Sequence, residues 1–427
     1  MIALSTQVPA ADDWRSYAQA RIQEHRTGTL NVVVRNRKGD PLPGLQVSAK
    51  LLRHDFLFGT QTAPKNFPVD SEDARWHREE LPRLFNTLVF ANGQKMNQSQ
   101  RIPFRAQTEA VVDWAHTHDF AWRGHTLVWG VLKYSPVIVQ PFHEQIKEGQ
   151  PIDREALLHR IDQSILDRCL RYRGKIRHWD VVNEPVSERH LFHALGAESV
   201  EDQAALMARW FKLAHQADPS ARLYMNDFGI LVTQNEAKRE RYYQLAKALV
   251  ELGAPLHGVG FQAHTWNQDH VNPPEKLNKI FDRFADLGLE LCITEFDTFG
   301  KWPAASEGGE RLRTEWFEQL LITAYSHPAM TGFMVWGIQD FYHWKESAPF
   351  YDAQWQPKPS LKVYEDLVLN QWRTQADGTT DANGQFTFNG HHGLYQFEIS
   401  DGQGQAFTIS AAHHPDLQEL ALTWSPN

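Results

Sequence analysis

The 427-residue chain has only two cysteines, Cys169 and Cys292, too few for a disulfide framework or a cysteine-rich zinc site. Both read as small buried apolar residues, with a single bridge between them as the alternative. No apolar run approaches the roughly 18 residues needed to span a bilayer, so no membrane insertion is expected. The chain is not basic either: 43 Lys and Arg against 52 Asp and Glu leave a net charge of −9. A chain of that sign repels nucleic-acid backbones and anionic membranes on average, and no nucleic-acid partner is expected. A Gly-rich phosphate loop, a Walker sequence and a Gly-x-Ser-x-Gly elbow are all missing, which removes nucleotide-binding and serine-hydrolase readings. Internal repeats and low-complexity tracts are absent as well. What the chain has in quantity is aromatic surface: 15 Trp, 24 Phe and 11 Tyr. Large flat faces hold sugar rings or fill a wide barrel core, and most of these rings are expected to do the second.

Residues 10 to 26 read as one amphipathic helix, and Leu30 to Val34 with Leu45 to Leu51 as a small β-hairpin around the turn-rich stretch 37–41. From about Phe56 to Leu369 the texture changes to short apolar runs separated by helical stretches. The runs are Phe56–Gly59, Thr87–Phe90, Trp122–Leu127, Ile176–Val182, Leu223–Met225, Gly258–Phe261, Leu289–Thr294 and Gly332–Trp336. Eight strands alternating with helices predict an α/β fold, a closed (β/α)8 barrel; an open doubly wound sheet would lead one to expect the phosphate loop that is lacking. After Asn370 the helical pattern stops, and residues 372–425 alternate aromatics with Gly, Thr and Asn, as a small β-sandwich does. The N-terminal hairpin is too small to fold alone, so residues 1–54 are expected to complete an accessory β-domain with residues 370–427, leaving 55–369 as the catalytic barrel.

In a parallel barrel the reactive groups sit at the C-terminal ends of strands. Two glutamates stand there: Glu184 after Trp179-Asp-Val-Val-Asn183, and Glu295 after Leu291-Cys-Ile-Thr294. An ionisable group abutting a buried strand is costly unless it is paired or faces a cleft. Each alone could be a helix cap or a salt-bridge partner; two on one barrel face point instead to the carboxylate pair of glycoside hydrolysis, which needs no metal and no cofactor. Further polar groups stand at neighbouring strand ends: His125, Asn183, Asn226, Asp227, Gln262, His264 and Asp297. The sequence His116-Thr-His118-Asp119 mimics a metal-ligand cluster but falls at a helix end, where histidine complements the dipole. The pairs His391-His392 and His413-His414 lack a Cys or carboxylate at ligand spacing.

The segments Arg123-Gly-His-Thr-Leu-Val-Trp129, Trp179-Asp-Val-Val-Asn-Glu-Pro185, Gly258-Val-Gly-Phe-Gln-Ala-His264, Ile293-Thr-Glu-Phe-Asp297 and Trp336-Gly-Ile-Gln-Asp340 together resemble glycoside hydrolase family 10, the retaining xylanases. The resemblance runs in order from about Phe58 to Val363. It implies Glu184 as acid/base and Glu295 as nucleophile. It also implies that Asn183, His125, Gln262, His264 and Trp129 surround the sugar at the cleavage point, that His264 and Asp297 orient the nucleophile, and that Trp336 and Trp344 form an aromatic floor and wall. Two stretches depart from the family. Its Glu-Asn-x-x-Lys-Trp is here Ala91-Asn92-Gly-Gln-Lys95-Met96, which keeps Asn92 and Lys95 for the next sugar but loses the glutamate. Its His-x-Gln-x-Pro is replaced by Gly130-Val-Leu132-Lys133-Tyr134-Ser-Pro136. Space freed by Ala91 and Gly130 is expected to admit a bulkier or branched sugar, contacted by Lys133 or Tyr134 unless these are plain loop residues. Trp266, Trp302, Phe341 and Tyr342 are candidates to stack leaving-side sugars.

These readings converge on a retaining, endo-acting β-glycosidase for xylan or a related polysaccharide. An exo-acting enzyme for a decorated oligosaccharide is the first alternative; a sugar-binding protein without turnover is the second. A monomer is expected. The first residues, Met-Ile-Ala-Leu-Ser-Thr-Gln, lack the basic and apolar regions of a secretory signal, so either the protein stays inside the cell or its signal lies outside this sequence; of the two, a secreted or periplasmic location is the expectation.

Overall fold

Strands of a closed parallel barrel are covered by helices outside and packed side chains inside, so they read as continuous apolar runs. Eight such runs close the barrel in the computed structural model, which describes residues 14–63, 67, 70–96, 101–132, 140–304 and 307–425. They are β1 (Leu57–Thr62), β2 (Thr87–Phe90), β3 (Ala121–Gly124), β4 (His178–Asn183), β5 (Arg222–Asp227), β6 (Gly258–Phe261), β7 (Glu290–Lys301) and β8 (Met330–Val335). Neighbours pair in parallel in chain order, and β8 returns to β1 to close the ring. Every residue of β1, β2, β4 and β6 is buried. Covering helices present apolar residues at helical spacing, as Leu277, Ile280, Phe281 and Phe284 do on Pro274–Ala285. Their starts are fixed by side chains: Ser71 and Asp153 accept the backbone N–H of Ala74 and Ala156, and Ser199 forms a capping box with Asp202.

The chain divides into two compact units, Phe58–Leu320 with Ala329–Leu361, and the remainder. The remainder takes in Leu321–Pro328, a segment that sequence texture assigns to the barrel because it continues an amphipathic helix. Within that unit the Tyr325 ring stacks on Trp372 with centroids 4.1 Å apart, and Arg26 donates to the Tyr325 carbonyl at 2.7 Å.

The expected N-terminal hairpin does not form. Thr27–Arg35 runs between Gln385–His391 and Glu419–Thr423 in one sheet, while Gln46–His54 runs between Gln375–Thr379 and Gly393–Ser400 in another. The two sheets share one core, with Leu30, Val32 and Val34 meeting Val47, Ala49, Leu51, Phe397 and Ile399. Alternation buries one face of each strand, and a two-stranded ribbon would leave that face wet; splitting the strands between sheets covers both. Cys169 and Cys292 are both buried free thiols.

Candidate active site

Two local distortions aim the glutamates. After β4 the chain turns with Glu184 at φ 55°, a left-handed conformation that a non-glycine residue keeps only when its surroundings fix it. They do. The Glu184 N–H donates to the Asn226 carbonyl at 2.7 Å, its carbonyl accepts from the Glu188 N–H at 2.9 Å, and Gln203 Nε2 reaches the Pro185 carbonyl at 2.6 Å. In β7 the register against β8 shifts between Ile293 and Phe296. The strand therefore continues past Glu295 rather than ending there, and the irregularity re-aims the side chain, as bulges beside active sites do. The Glu295 N–H is held by the Gln262 carbonyl at 3.0 Å.

A relay of amides joins the two carboxylates. Glu184 Oε1 accepts from Asn183 Nδ2 at 3.2 Å and from Gln262 Nε2 at 3.0 Å, and its Oε2 accepts from Trp129 Nε1 at 2.9 Å. Asn183 Oδ1 accepts from Asn226 Nδ2 at 3.1 Å, and the same Nδ2 donates to Glu295 Oε1 at 2.7 Å. Thr294 donates its hydroxyl to Asn226 Oδ1 at 2.7 Å, which fixes the amide's orientation. Asn226, noted in the sequence only as a strand-end polar group, is thus the donor that touches Glu295 most closely.

His264 is drawn towards its charged form by the carboxylates it faces. Its Nδ1 lies 2.7 Å from Asp297 Oδ1 and its Nε2 3.4 Å from Glu295 Oε2. Burial by itself would drive the ring's proton off, but Asp297 and then Glu295 outweigh it and carry the pKa up to about 10. The same pairing acts on Asp297: burial favours its neutral form, yet His264 and His343 hold its pKa down to about 2. His343 Nε2 lies 3.1 Å from Asp297 Oδ2, and Trp344 Nε1 donates to that oxygen at 2.8 Å. Asp297 therefore sits behind the cleft, ordering His264 and Trp344. A second buried carboxylate, Asp180, pairs with Arg123 and lies 3.0 Å from His125 Nδ1. Arg123, Asp180 and His343 were not singled out from the sequence; the place of Arg123 and Asp180 on strands beside the glutamates could have marked them, whereas His343 sits in the loop after β8.

The cleft has a volume of about 540 Å³ and is lined by both glutamates, by Asn92, Lys95, His125 and Trp129, and by Asn183, Gln262, His264, Trp336 and Trp344. Lys95 Nζ bonds to Asn92 Oδ1 at 3.0 Å and stands 4.4 Å from the Trp129 ring centre. Trp336 is 7% exposed, a floor, whereas Trp344 is 53% exposed, a wall open to water. Trp266 lines the cleft, joined by Phe228, Phe299 and Glu188, which carried no distinguishing sequence signal. Three expectations fall elsewhere. Trp302 is a packing residue, its Nε1 donating to the Thr265 carbonyl. Phe341 and Tyr342 pack edge to face with each other at 5.2 Å and are not part of the lining. Gly130 frees no space: a Cβ there would meet the Glu188 carbonyl oxygen at 1.9 Å, because the loop after β4 crosses at that point. Ala91 does line the cleft; Lys133 and Tyr134 lie outside the described residues. His118 folds back on its own helix, Nδ1 2.8 Å from the Trp114 carbonyl. Among the described residues no His, Cys, Asp or Glu cluster is arranged to hold a metal.

The pattern described as Glycosyl hydrolase family 10 matches residues 48–367. The chain belongs to this family. Among curated relatives of the family 10 chain, the anti-sigma-I factor RsgI6 of Acetivibrio thermocellus is 26% identical, covering 92% of this chain and 47% of its own length. Endo-1,4-beta-xylanase 1 of Arabidopsis thaliana is 27% identical over 83% of this chain and 34% of its own. The chain thus spans less than half the length of either. Endo-1,4-beta-xylanase B of Thermotoga neapolitana is 30% identical over 69% of this chain and 84% of its own. The crystal structure of xylanase 10B from Thermotoga petrophila in complex with xylobiose superposes with a TM-score of 0.64 at 25% identity, covering 74% of this chain and 95% of that one.

Proposed function

We propose that this family 10 protein is a retaining, endo-acting β-1,4-xylanase. The observation that carries the reading is the placement of Glu184 and Glu295 in one cleft, joined through Asn183 and Asn226 but held in different company. Glu295 faces His264 and the Asn226 amide, which aim it as a nucleophile. Glu184 stands at the turn after β4, oriented by Trp129 and Gln262, as a proton donor to the leaving oxygen. Glu295 attacks the anomeric carbon as Glu184 protonates the departing sugar oxygen. Water then attacks the glycosyl-enzyme while Glu184 takes its proton, and two inversions give retention. Asn183 is placed to bond the sugar 2-hydroxyl, a contact that tightens as the ring approaches an oxocarbenium ion. Trp336 and Trp344 supply flat apolar faces for a pyranose, and the xylanase names of the relatives support xylan as the polymer.

Hydrolysis of xylan and xylo-oligosaccharides, followed by product analysis and by proton NMR of the first anomer formed, tests the reading. Internal cleavage with β-product and labelling of Glu295 by a 2-fluoro-xylobioside are expected. Release of xylose alone from chain ends would overturn endo action, and full activity in Glu295→Ala would overturn the nucleophile. The non-catalytic alternative is disfavoured by the complete set of donors on both carboxylates. A polysaccharide substrate also favours an extracytoplasmic address, which fractionation of the source cells would check.

A further inference from the structure

Asp227, the last residue of β5, is fully buried and lies outside the cleft lining, yet it is built into the support of Glu184. Its Oδ2 accepts the Val186 N–H at 3.1 Å, two residues past Glu184, and its Oδ1 accepts the Phe228 N–H at 2.8 Å. Its carbonyl accepts the Gln262 N–H at 3.0 Å, and the Gln262 side chain is a donor to Glu184. Lys238, from the helix Glu236–Glu251, places Nζ 2.8 Å from Asp227 Oδ1 and 3.2 Å from the centre of the Phe228 ring. The charged or titratable groups facing Asp227 are therefore Lys238 and, through space, Glu184 and the Tyr242 phenol. On its cleft side Glu184 shares the lining with Lys95, Glu188, His264 and Glu295. Burial raises the Asp227 pKa to about 6, Lys238 opposing that rise and Glu184 adding to it. A paired carboxylate inside a low-dielectric wall fixes both the geometry and the charge balance of its neighbours, and removing one partner leaves the other uncompensated.

We propose that Asp227, paired with Lys238, is a positioning residue for proton transfer at Glu184: it clamps the turn that carries Glu184 and keeps the charge behind it balanced, without touching substrate. This rests on the reading of Glu184 as acid/base. Asp227→Asn keeps an acceptor for Val186 and leaves Lys238 unbalanced. The test compares kcat/KM, which reports bond cleavage, on xylotetraose and on 2,4-dinitrophenyl β-xylobioside, whose leaving group departs without a proton. With general acid catalysis contributing roughly 10²–10⁴-fold, Asp227→Asn is expected to lose about 30-fold on xylotetraose and less than about threefold on the aryl glycoside. The charge-balanced double variant D227N/K238M should recover most of the loss, a rescue that a purely structural role would not give. Should Asp227→Asn fail to fold, Lys238→Met alone is expected to show the same split at smaller size. Equal losses on both substrates, or a double variant worse than Asp227→Asn, would overturn the inference alone. A wild-type chain inert on both substrates would overturn the glycosidase reading and this inference with it.

Discussion

The histidine at the barrel's cleft and the buried histidines of the β-unit end with opposite pKa shifts. At the cleft, His264 has its pKa carried up to about 10 because Asp297 and Glu295 face it, whereas the barrel's His77, acted on by burial and Arg78, is pushed down to about 4. In the β-unit, His391 and His392 are pushed down to about 4, and His54 to about 3, because loss of water is opposed by no adjacent carboxylate strong enough to reverse it. These β-unit rings crowd one another instead: His54 and His391 stand 5.9 Å apart, His392 and His413 5.0 Å. Burial sets how strongly a histidine responds, and the charge opposite sets the sign. A histidine held as a cation can serve chemistry at neutral pH, whereas His54, His391 and His392 act there as neutral packing.

The sharpest way to break this contrast is His264→Phe, which strands Asp297 and Glu295 as buried carboxylates without their shared cation. Removing one partner of a buried pair costs about 3–5 kcal/mol, and turnover on xylan is expected to fall by about 10²-fold or more. Chemical unfolding and steady-state kinetics would check both, and a variant as stable and active as the parent would deny His264 its charge.

The next effect is read in pH. A base whose folded pKa is depressed keeps its full stability contribution above its unfolded value of 6.5 and loses it as pH falls towards 4, so acid should destabilise the β-unit. For His391, 7% exposed, the shift towards about 4 corresponds to roughly 3 kcal/mol in the limit. Around it stand His54, His392, Tyr325 and Thr374, and near them Arg26, Arg373, Asp55, His413 and His414. Calorimetry from pH 7 to 4 should show this transition moving down in temperature, and His391→Phe should blunt the movement. His264 has the opposite sign: its contribution is complete below 6.5 and disappears as pH rises through about 10. Asp297, depressed to about 2, contributes above its ordinary 3.8 and loses that only in strong acid. A β-unit transition that does not move between pH 7 and 4 would undo the comparison.

The smallest effect belongs to the donor-side wall, where Ala91 stands in place of the family's glutamate. Ala91→Glu restores a hydroxyl acceptor beside Asn92 and Lys95. A gain of ~1 kcal/mol, seen as a KM about fivefold lower on xylotetraose with kcat unchanged, is expected. An unchanged KM would mean that no sugar sits against this wall.

The barrel was legible because its signals are local. Eight apolar runs of strand length gave the strand count, and the two glutamates stood out at the ends of such runs. Long-range pairing was not legible. Thr27–Arg35 and Gln46–His54 look like a hairpin in one dimension, yet each takes its partners from more than 320 residues away. The space at Gly130 could not be read either, since a glycine in sequence marks room or close approach alike; here the Glu188 carbonyl fills it. Phe341 and Tyr342 lie outside the cleft lining for a related reason, because an aromatic on a strand-end loop can turn to a neighbour as readily as to the cleft.

By itself, the order of residues determined the barrel, its pair of acids and the polar types gathered at the strand ends, because periodicity and strand-end position are properties of neighbours along the chain. Only the tertiary structure decided which amide bridges Glu184 to Glu295, which histidine carries a charge, and which buried aspartate stands behind the acid. Those depend on what burial places opposite each group, and a folded chain brings such partners together from strands that sequence keeps far apart.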